Sequence, residues 1–215
     1  MEEPNTKGVC MRYFISEGQQ SYANVFDAMD WSQVDKIYNA EVVIFTGGAD
    51  VSPRLYDEEN TASYCDNSRD IVDMKSWCYA KLYGLPMIGI CRGSQFINVM
   101  SGGKMKQDIR GHGIGYERTH PVNLILSPSE LNPYTVLTST HVNSTHHQES
   151  IPLHPANVLA VFDDRVVEAV GYPSNRAFGV QWHPEAMPPE DDGRIVFQQM
   201  CTSHIAHNNP LHHWS

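Results

Sequence analysis

Met87-Ile88-Gly89-Ile90-Cys91-Arg92-Gly93-Ser94-Gln95-Phe96-Ile97-Asn98-Val99-Met100 carries a short apolar run, a tight turn and a helical pattern within about fifteen residues. Met87 to Ile90 reads as a buried strand, being brief and apolar and preceded by the breakers Gly84 and Pro86. From Ser94 to Met100, Phe96, Val99 and Met100 form the apolar side of a helix that Gly102-Gly103 stops. Between them, Gly89-Ile90-Cys91-Arg92-Gly93 has the form G-x-C-x-G, a cysteine counterpart of the strand-to-helix elbow that lifts a nucleophile out of a sheet. Small residues flank the cysteine because a tight turn leaves little room for side chains. The N-terminus of the following helix offers partial positive charge and unpaired N–H groups, which favour the reactive thiolate. Taken alone, the pattern more often marks a buried structural cysteine beside helix-packing glycines.

A second stretch shifts that balance. Gln181-Trp182-His183-Pro184-Glu185 ends the last strand of the pattern with a histidine two positions before a glutamate. These types supply a general base and a group that orients it. An isolated H-P-E is most simply a turn with a surface carboxylate, but together with the cysteine elbow it points to catalysis by Cys91, His183 and Glu185. Both Cys91 and His183 directly follow expected strands, where parallel-sheet enzymes hold their active sites. Gly47-Gly48 follows another strand, Glu41 to Thr46. Its backbone N–H groups, with that of Arg92, suit an oxyanion, although a bare Gly-Gly is more often just a turn.

Working outward, Ile71, Met74, Cys78 and Leu82 recur at spacings of three and four between Arg69 and Tyr83, which predicts a helix with those residues on its buried face. The second half reads as short strands at Val122–Leu126, Thr135–Thr138, Val158–Phe162, Val166–Val170 and Ala177–Trp182, followed by a helix over Arg194–His204. Strands alternating with helices early and a run of strands later predict an α/β fold. Its sheet is mostly parallel, sandwiched by helices, with an added antiparallel portion. No repeat or long linker divides the chain, so residues 1–215 are expected to form a single domain, with a solvated tail from about residue 205.

Composition narrows the function. Fifteen Lys and Arg against 25 Asp and Glu leave a formal charge of -10, which opposes the attraction behind nonspecific nucleic-acid affinity and binding to anionic membranes. The start, Met1 to Gly8, is acidic and polar, without the basic and apolar regions of a secretory signal. Five scattered cysteines with no C-x-x-C pair suit reduced thiols in a cytoplasmic protein. His204, His207, His212 and His213 are irregularly spaced near the end and read as a solvated tail rather than a metal site.

The segments G-I-C-R-G-x-Q at Gly89 to Gln95 and V-Q-W-H-P-E at Val180 to Glu185 resemble the class I glutamine amidotransferases. Within them the similarity is greatest to the γ-glutamyl-γ-aminobutyrate hydrolase group, the peptidase C26 relatives. Further matches are G-G-x-D-V-x-P-x-x-Y at Gly47 to Tyr56, R-D at Arg69-Asp70, G-G-x-x-x-Q-D-I at Gly102 to Ile109 and V-N-S-x-H-H-Q at Val142 to Gln148. The resemblance implies a flavodoxin-like three-layer sandwich, a Cys91-His183-Glu185 triad and a covalent γ-glutamyl thioester on Cys91, with no metal or organic cofactor. It also implies oxyanion N–H groups from Gly48 and Arg92, a substrate pocket lined by Gln95, and a substrate-side loop containing Ser144 and His146. For Gln95 a helix-solvating role is the alternative, for His146 an ordinary loop position, and for Asp50 with Arg69 a structural ion pair. Two departures stand out. The N-terminal region lacks a clear version of the family's opening strand, and Arg165 occupies the glycine position of a D-G-x-x-E-A turn.

The expected activity is hydrolysis of a small-molecule γ-glutamyl amide to glutamate and an amine or ammonia. The alternative is a glutaminase subunit that passes ammonia to a separate synthetase or ligase partner.

Overall fold

The protein is described by a computed structural model covering residues 10–109, 112–113, 115–125, 137–154, 156–163 and 165–208. In chain order its elements are β1 (Arg12–Ile15), α1 (Gln20–Asp27), β2 (Ser32–Gln33), β3 (Val42–Phe45), α2 (Asn67–Tyr83), β4 (Met87–Ile90), α3 (Arg92–Met100) and β5 (Lys104–Lys106). There follow β6 (Gly115–Ile125), β7 (Leu137–Ser144), β8 (Glu149–Ile151), β9 (Asn157–Phe162), β10 (Val166–Tyr172), β11 (Ala177–Val180) and α4 (Asp192–Asn208). One nine-stranded sheet has the order β2-β1-β3-β4-β11-β10-β9-β6-β7. The first five strands in that order are parallel and the remainder antiparallel, the arrangement expected from the pattern. Strands β5 and β8 form a separate antiparallel pair.

Alternation along β3 divides its side chains between two cores. Val42 and Ile44 pack with Phe26 of α1 and Phe197 and Cys201 of α4, whereas Val43 and Phe45 pack with Trp77 of α2 and Phe96 of α3. Helices thus cover both faces, as a parallel sheet requires. Each fully buried Ile or Phe contributes roughly 1.5–3 kcal/mol relative to exposure. Gly93 allows the closest approach: a side chain there would run into the Phe45 carbonyl, so glycine lets α3 sit directly on β3.

Several boundaries differ from the sequence expectation. The opening strand is present: β1 pairs in parallel with β3 through Tyr13–Val42, Phe14–Val43 and Ile15–Ile44. Its pattern is obscured because only Tyr13 is fully buried, while Arg12 is exposed. Leu126 and residues 135–136 of two expected strands lie outside the described residues. Helix α2 exists, but its inward face is a different one. Ile71, Cys78 and Leu82 are exposed and Met74 is half-buried, whereas Arg69, Asp70, Asp73, Ser76, Trp77 and Ala80 are buried. Ion pairing, described below, makes the charged face the inner one. Asp66 caps the helix by accepting from the Ser68 and Arg69 N–H groups, and Gly84 ends it in the left-handed region at φ 65°.

The turn with Arg165 in place of glycine is accommodated by its neighbour. Among the described residues of that turn, the positive φ belongs to Asp163 at 49°, a residue type that tolerates it, and the Arg165 N–H donates to the Phe162 carbonyl. No helix among the described residues is long and apolar enough to cross a membrane.

Helix α4 extends to Asn208, so residues 205–208 continue it rather than begin a tail, and residues 209–215 lie outside the described set. His204 is no tail residue. Its ring packs edge-on to Phe178 at 4.9 Å, with Nε2 3.1 Å from the Arg176 carbonyl oxygen. Burial pulls its pKa from the ordinary 6.5 to about 4, against the opposing bond to that carbonyl. A depressed folded-state pKa means that the unfolded chain binds the extra proton first. This contribution to stability is therefore whole above pH 6.5 and lost as pH falls through about 4. The expected result is a decline of up to about 1.4 kcal/mol per pH unit across that window, flattened in His204→Gln, as read by urea denaturation at stepped pH.

Candidate active site

Strands β3, β4 and β11 run parallel and end together, so the loops at their carboxyl ends meet. Cys91 follows β4 at φ 51° and ψ −110°, a strained conformation for a residue with a side chain. It is held by its own N–H donating to the Val180 carbonyl at 2.8 Å and by its carbonyl accepting from the Gln95 N–H at 3.2 Å. The turn thus projects the half-buried sulfur while α3 begins at the next residue.

His183 leaves the end of β11 and is 4% exposed. Its Nδ1 lies 2.6 Å from Glu185 Oε1. Burial alone would lower the imidazole pKa. The Cys91 sulfur, by charge and hydrogen bond, and then Glu185 outweigh that and push it up to about 11. A protonated imidazole between a sulfur and a carboxylate is the arrangement that can deliver a proton to a leaving group. Tyr116 of β6 stands edge-on to the His183 ring at 5.2 Å. Tyr22 of α1 lies beside Gly47 and Glu185, and burial followed by the Glu185 charge keeps it a neutral phenol.

Asn143 on β7 clamps the backbone of His183 in both directions: its Nδ2 donates to the His183 carbonyl at 3.0 Å, and its Oδ1 accepts from the His183 N–H at 2.8 Å. Asn143 is inside the V-N-S-x-H-H-Q match, but its use depends on β7 and β11 meeting at this point, which no local pattern shows. Asn143→Ala would orphan two buried backbone groups. It is expected to cost about 1–3 kcal/mol of stability, read by thermal unfolding. Turnover should fall by about tenfold or more through displacement of the imidazole.

Beneath the loops lies a buried charge network. Arg92 pairs with Asp70 at 2.5 Å and with Asp73, and Arg69 Nε pairs with Asp73 at 2.8 Å. Arg69 also donates to the carbonyls of Gly47 and Thr46, both at 3.1 Å. The network therefore ties the Gly47-Gly48 loop and the start of α3 to α2. Asp50 is not the partner of Arg69; it accepts from the Tyr64 N–H and lies 3.2 Å from His147 Nε2. For Asp70, burial pushes the carboxyl pKa up against the pull of Arg92.

The expected site residues are partly assembled. Cys91, Arg92, Gln95, Gly48, His183, Glu185 and His146 line one cleft of about 820 Å³, together with Tyr22, Asp50, Tyr116 and His147. Gln95 is buried rather than solvated. Its Nε2 lies 3.3 Å from Gln181 Oε1, and Gln181 Nε2 in turn lies 3.7 Å from the Cys91 sulfur. Ser144 is fully buried and is not among the residues lining the cleft, and the His146 ring turns away towards Glu168. Sequence patterning missed Tyr22, Tyr116, Asn143 and Gln181, of which only the last two lie in quoted motifs.

Residues 26–185 match the family model described as Peptidase C26. The putative glutamine amidotransferase-like protein YvdE of Lactococcus lactis is 30% identical over 198 residues, covering 80% of this chain and 81% of that protein. The γ-glutamyl-γ-aminobutyrate hydrolase PuuD of Escherichia coli is 30% identical over 183 residues, covering 76% and 72% of the two chains. A solved glutamine amidotransferase of Thermotoga maritima shares the fold at a TM-score of 0.63 with 15% identity, covering 94% of this chain and 87% of that one. The chain belongs to the peptidase C26 family of class I glutamine amidotransferase-like hydrolases.

Proposed function

We propose that this peptidase C26 member hydrolyses γ-glutamyl amide bonds through a thioester on Cys91. What carries the proposal is the 2.6 Å contact between His183 and Glu185, combined with a cysteine held at positive φ on the wall of the same cleft.

The Cys91 thiolate attacks the γ-carbonyl carbon, forming a C–S bond and a tetrahedral oxyanion. Backbone N–H groups of Gly48 and Arg92 stabilise that oxygen, the latter as one of the unpaired donors opening α3. As the C–N bond breaks, protonated His183 gives its proton to the departing amine. The neutral imidazole then takes a proton from water, whose oxygen attacks the thioester carbon, and glutamate leaves as the thiolate returns. Glu185 holds the imidazole tautomer and offsets its charge. Gln95 sits on the glutamyl side of the cleft, and Ser144 and His146 support the wall rather than touch substrate.

The test is glutamate release by the purified full chain from a panel of γ-glutamyl amines and from free glutamine. Release from γ-glutamyl amines by the isolated chain is the expected result. Activity on glutamine alone, and only beside a copurifying synthetase, would replace this proposal with ammonia delivery to a partner.

A further inference from the structure

Behind the cleft wall, four side chains converge on one buried point. Glu168 of β10 has no exposed side-chain surface. Its Oε1 lies 3.0 Å from His112 Nε2, 3.4 Å from His146 Nε2 and 3.6 Å from His120 Nε2. These side chains are 5%, 1% and 10% exposed, respectively. They come from the segment before β6, from the loop after β7, from β6 and from β10, so only the folded chain assembles them.

Hydrogen bonding at the outer ring nitrogens makes this cluster unusual. His146 Nδ1 lies 2.8 Å from the Gln148 carbonyl oxygen, and His120 Nδ1 lies 3.2 Å from that of Pro121. A carbonyl only accepts, so both Nδ1 atoms carry the proton, which in a neutral imidazole leaves Nε2 as the inward-facing acceptor. Those acceptors face a carboxylate that also only accepts. Accordingly His120 Nε2, His146 Nε2 and Glu168 Oε2 are buried without a hydrogen-bond partner. Several inward acceptors, with outer nitrogens held by carbonyls, is the ligand set and support that a metal ion selects. The ligand-atom separations suit it as well. Ligand atoms of His112, His146 and Glu168 all lie within 4.8 Å of one another. The two Nε2 atoms are 3.0 and 3.4 Å from Glu168 Oε1, near the about 3.3–3.4 Å that bonds of about 2.0–2.1 Å in a tetrahedron set between ligand atoms.

We propose that His112, His146 and Glu168 form a three-ligand binding site for a divalent transition ion of the zinc type, separate from the Cys91 cleft, with His120 beside it. Two imidazole nitrogens and one carboxylate oxygen favour such an ion over magnesium or calcium, which take mainly oxygen ligands. Entry of the ion would release the proton that His112 Nε2 now directs at Glu168. The ion's role is structural. It would clamp the His146 loop, which lines the cleft, to β10, whose Glu168 carbonyl accepts from Gln181 N–H at 2.7 Å.

The test is equilibrium dialysis of metal-free full chain carrying Cys91→Ala, against Zn2+ alone, followed by metal analysis. The substitution removes the cleft thiol as a competing ligand, and prior alkylation of the exposed Cys10 and Cys78 removes theirs. Glu168→Gln and His112→Ala are each added to this background, the latter lying outside any strand or helix and so least able to disturb folding. One equivalent of zinc is expected, with affinity falling at least about 100-fold in both added variants. Co2+ should give the visible d–d bands of a tetrahedral nitrogen–oxygen site, lost in His112→Ala. No zinc uptake, or equal uptake with and without His112, would overturn the proposal and leave a purely hydrogen-bonded cluster. Neither result depends on the proposed hydrolysis, which is read from glutamate release alone.

Discussion

Cys91→Ala is expected to lower kcat for γ-glutamyl amide hydrolysis by about 10⁴-fold or more, the scale on which nucleophile removal acts in triad enzymes. The fold should survive. The Cys91 bonds to Val180 and from Gln95 are made by main-chain atoms, and alanine meets the same strained backbone without adding bulk. Far-UV circular dichroism and the thermal midpoint should therefore match the parent. Mass spectrometry should detect a γ-glutamyl adduct on the parent when deacylation is slowed, and none on the variant. Glu185→Gln should retain the adduct site yet turn over about 10²–10⁴-fold more slowly, because the carboxylate that orients and offsets the imidazole is gone. Cys91→Ala activity within tenfold of the parent would rule out the thioester.

Asp73→Ala should be the most damaging single change to stability, at about 3–5 kcal/mol. Asp73 is fully buried and is the shared partner of Arg69 and Arg92, and it also accepts from Ser16 Oγ at 2.6 Å. Its removal leaves two guanidinium groups, 8% and 1% exposed, short of a counter-charge in a medium that poorly solvates them. The measurement is urea denaturation, with the midpoint shifted and the slope unchanged. Activity should fall as well, since Arg69 positions the Thr46 and Gly47 carbonyls at the cleft. An Asp73→Ala midpoint within about 0.5 kcal/mol of the parent would show that the network contributes little.

Much of the site was legible because its signals are local. G-x-C-x-G needs a tight turn directly against a helix start, and H-P-E places a histidine and a glutamate two residues apart, so both patterns lie within a few positions. The elbow formed where expected, with Cys91 at positive φ and α3 beginning at Arg92. The inward face of α2 was misjudged for the complementary reason. Ile71, Cys78 and Leu82 form a proper helical stripe, but Asp70 and Asp73 find their partner in Arg92, on another helix, and Arg69 pairs with Asp73. Hydrophobic periodicity counts apolar residues alone and has no means of registering that a charged face can be the buried one.

The N-terminal strand shows the same division. A four-residue strand with one fully buried residue has little pattern of its own, and β1 becomes recognisable only as it lies between β2 and β3.

Short-range order in the chain therefore carries the α/β alternation, the cysteine elbow and the His-Glu pair, because turn sterics, helix ends and strand pleat act over a few residues. The Asn143 clamp on His183, the Arg-Asp network and the His-Glu168 cluster come from strand pairing and helix packing across tens of residues. Their members are ordinary polar residues in sequence, and their chemistry arises when burial removes water and leaves each with the others as partners.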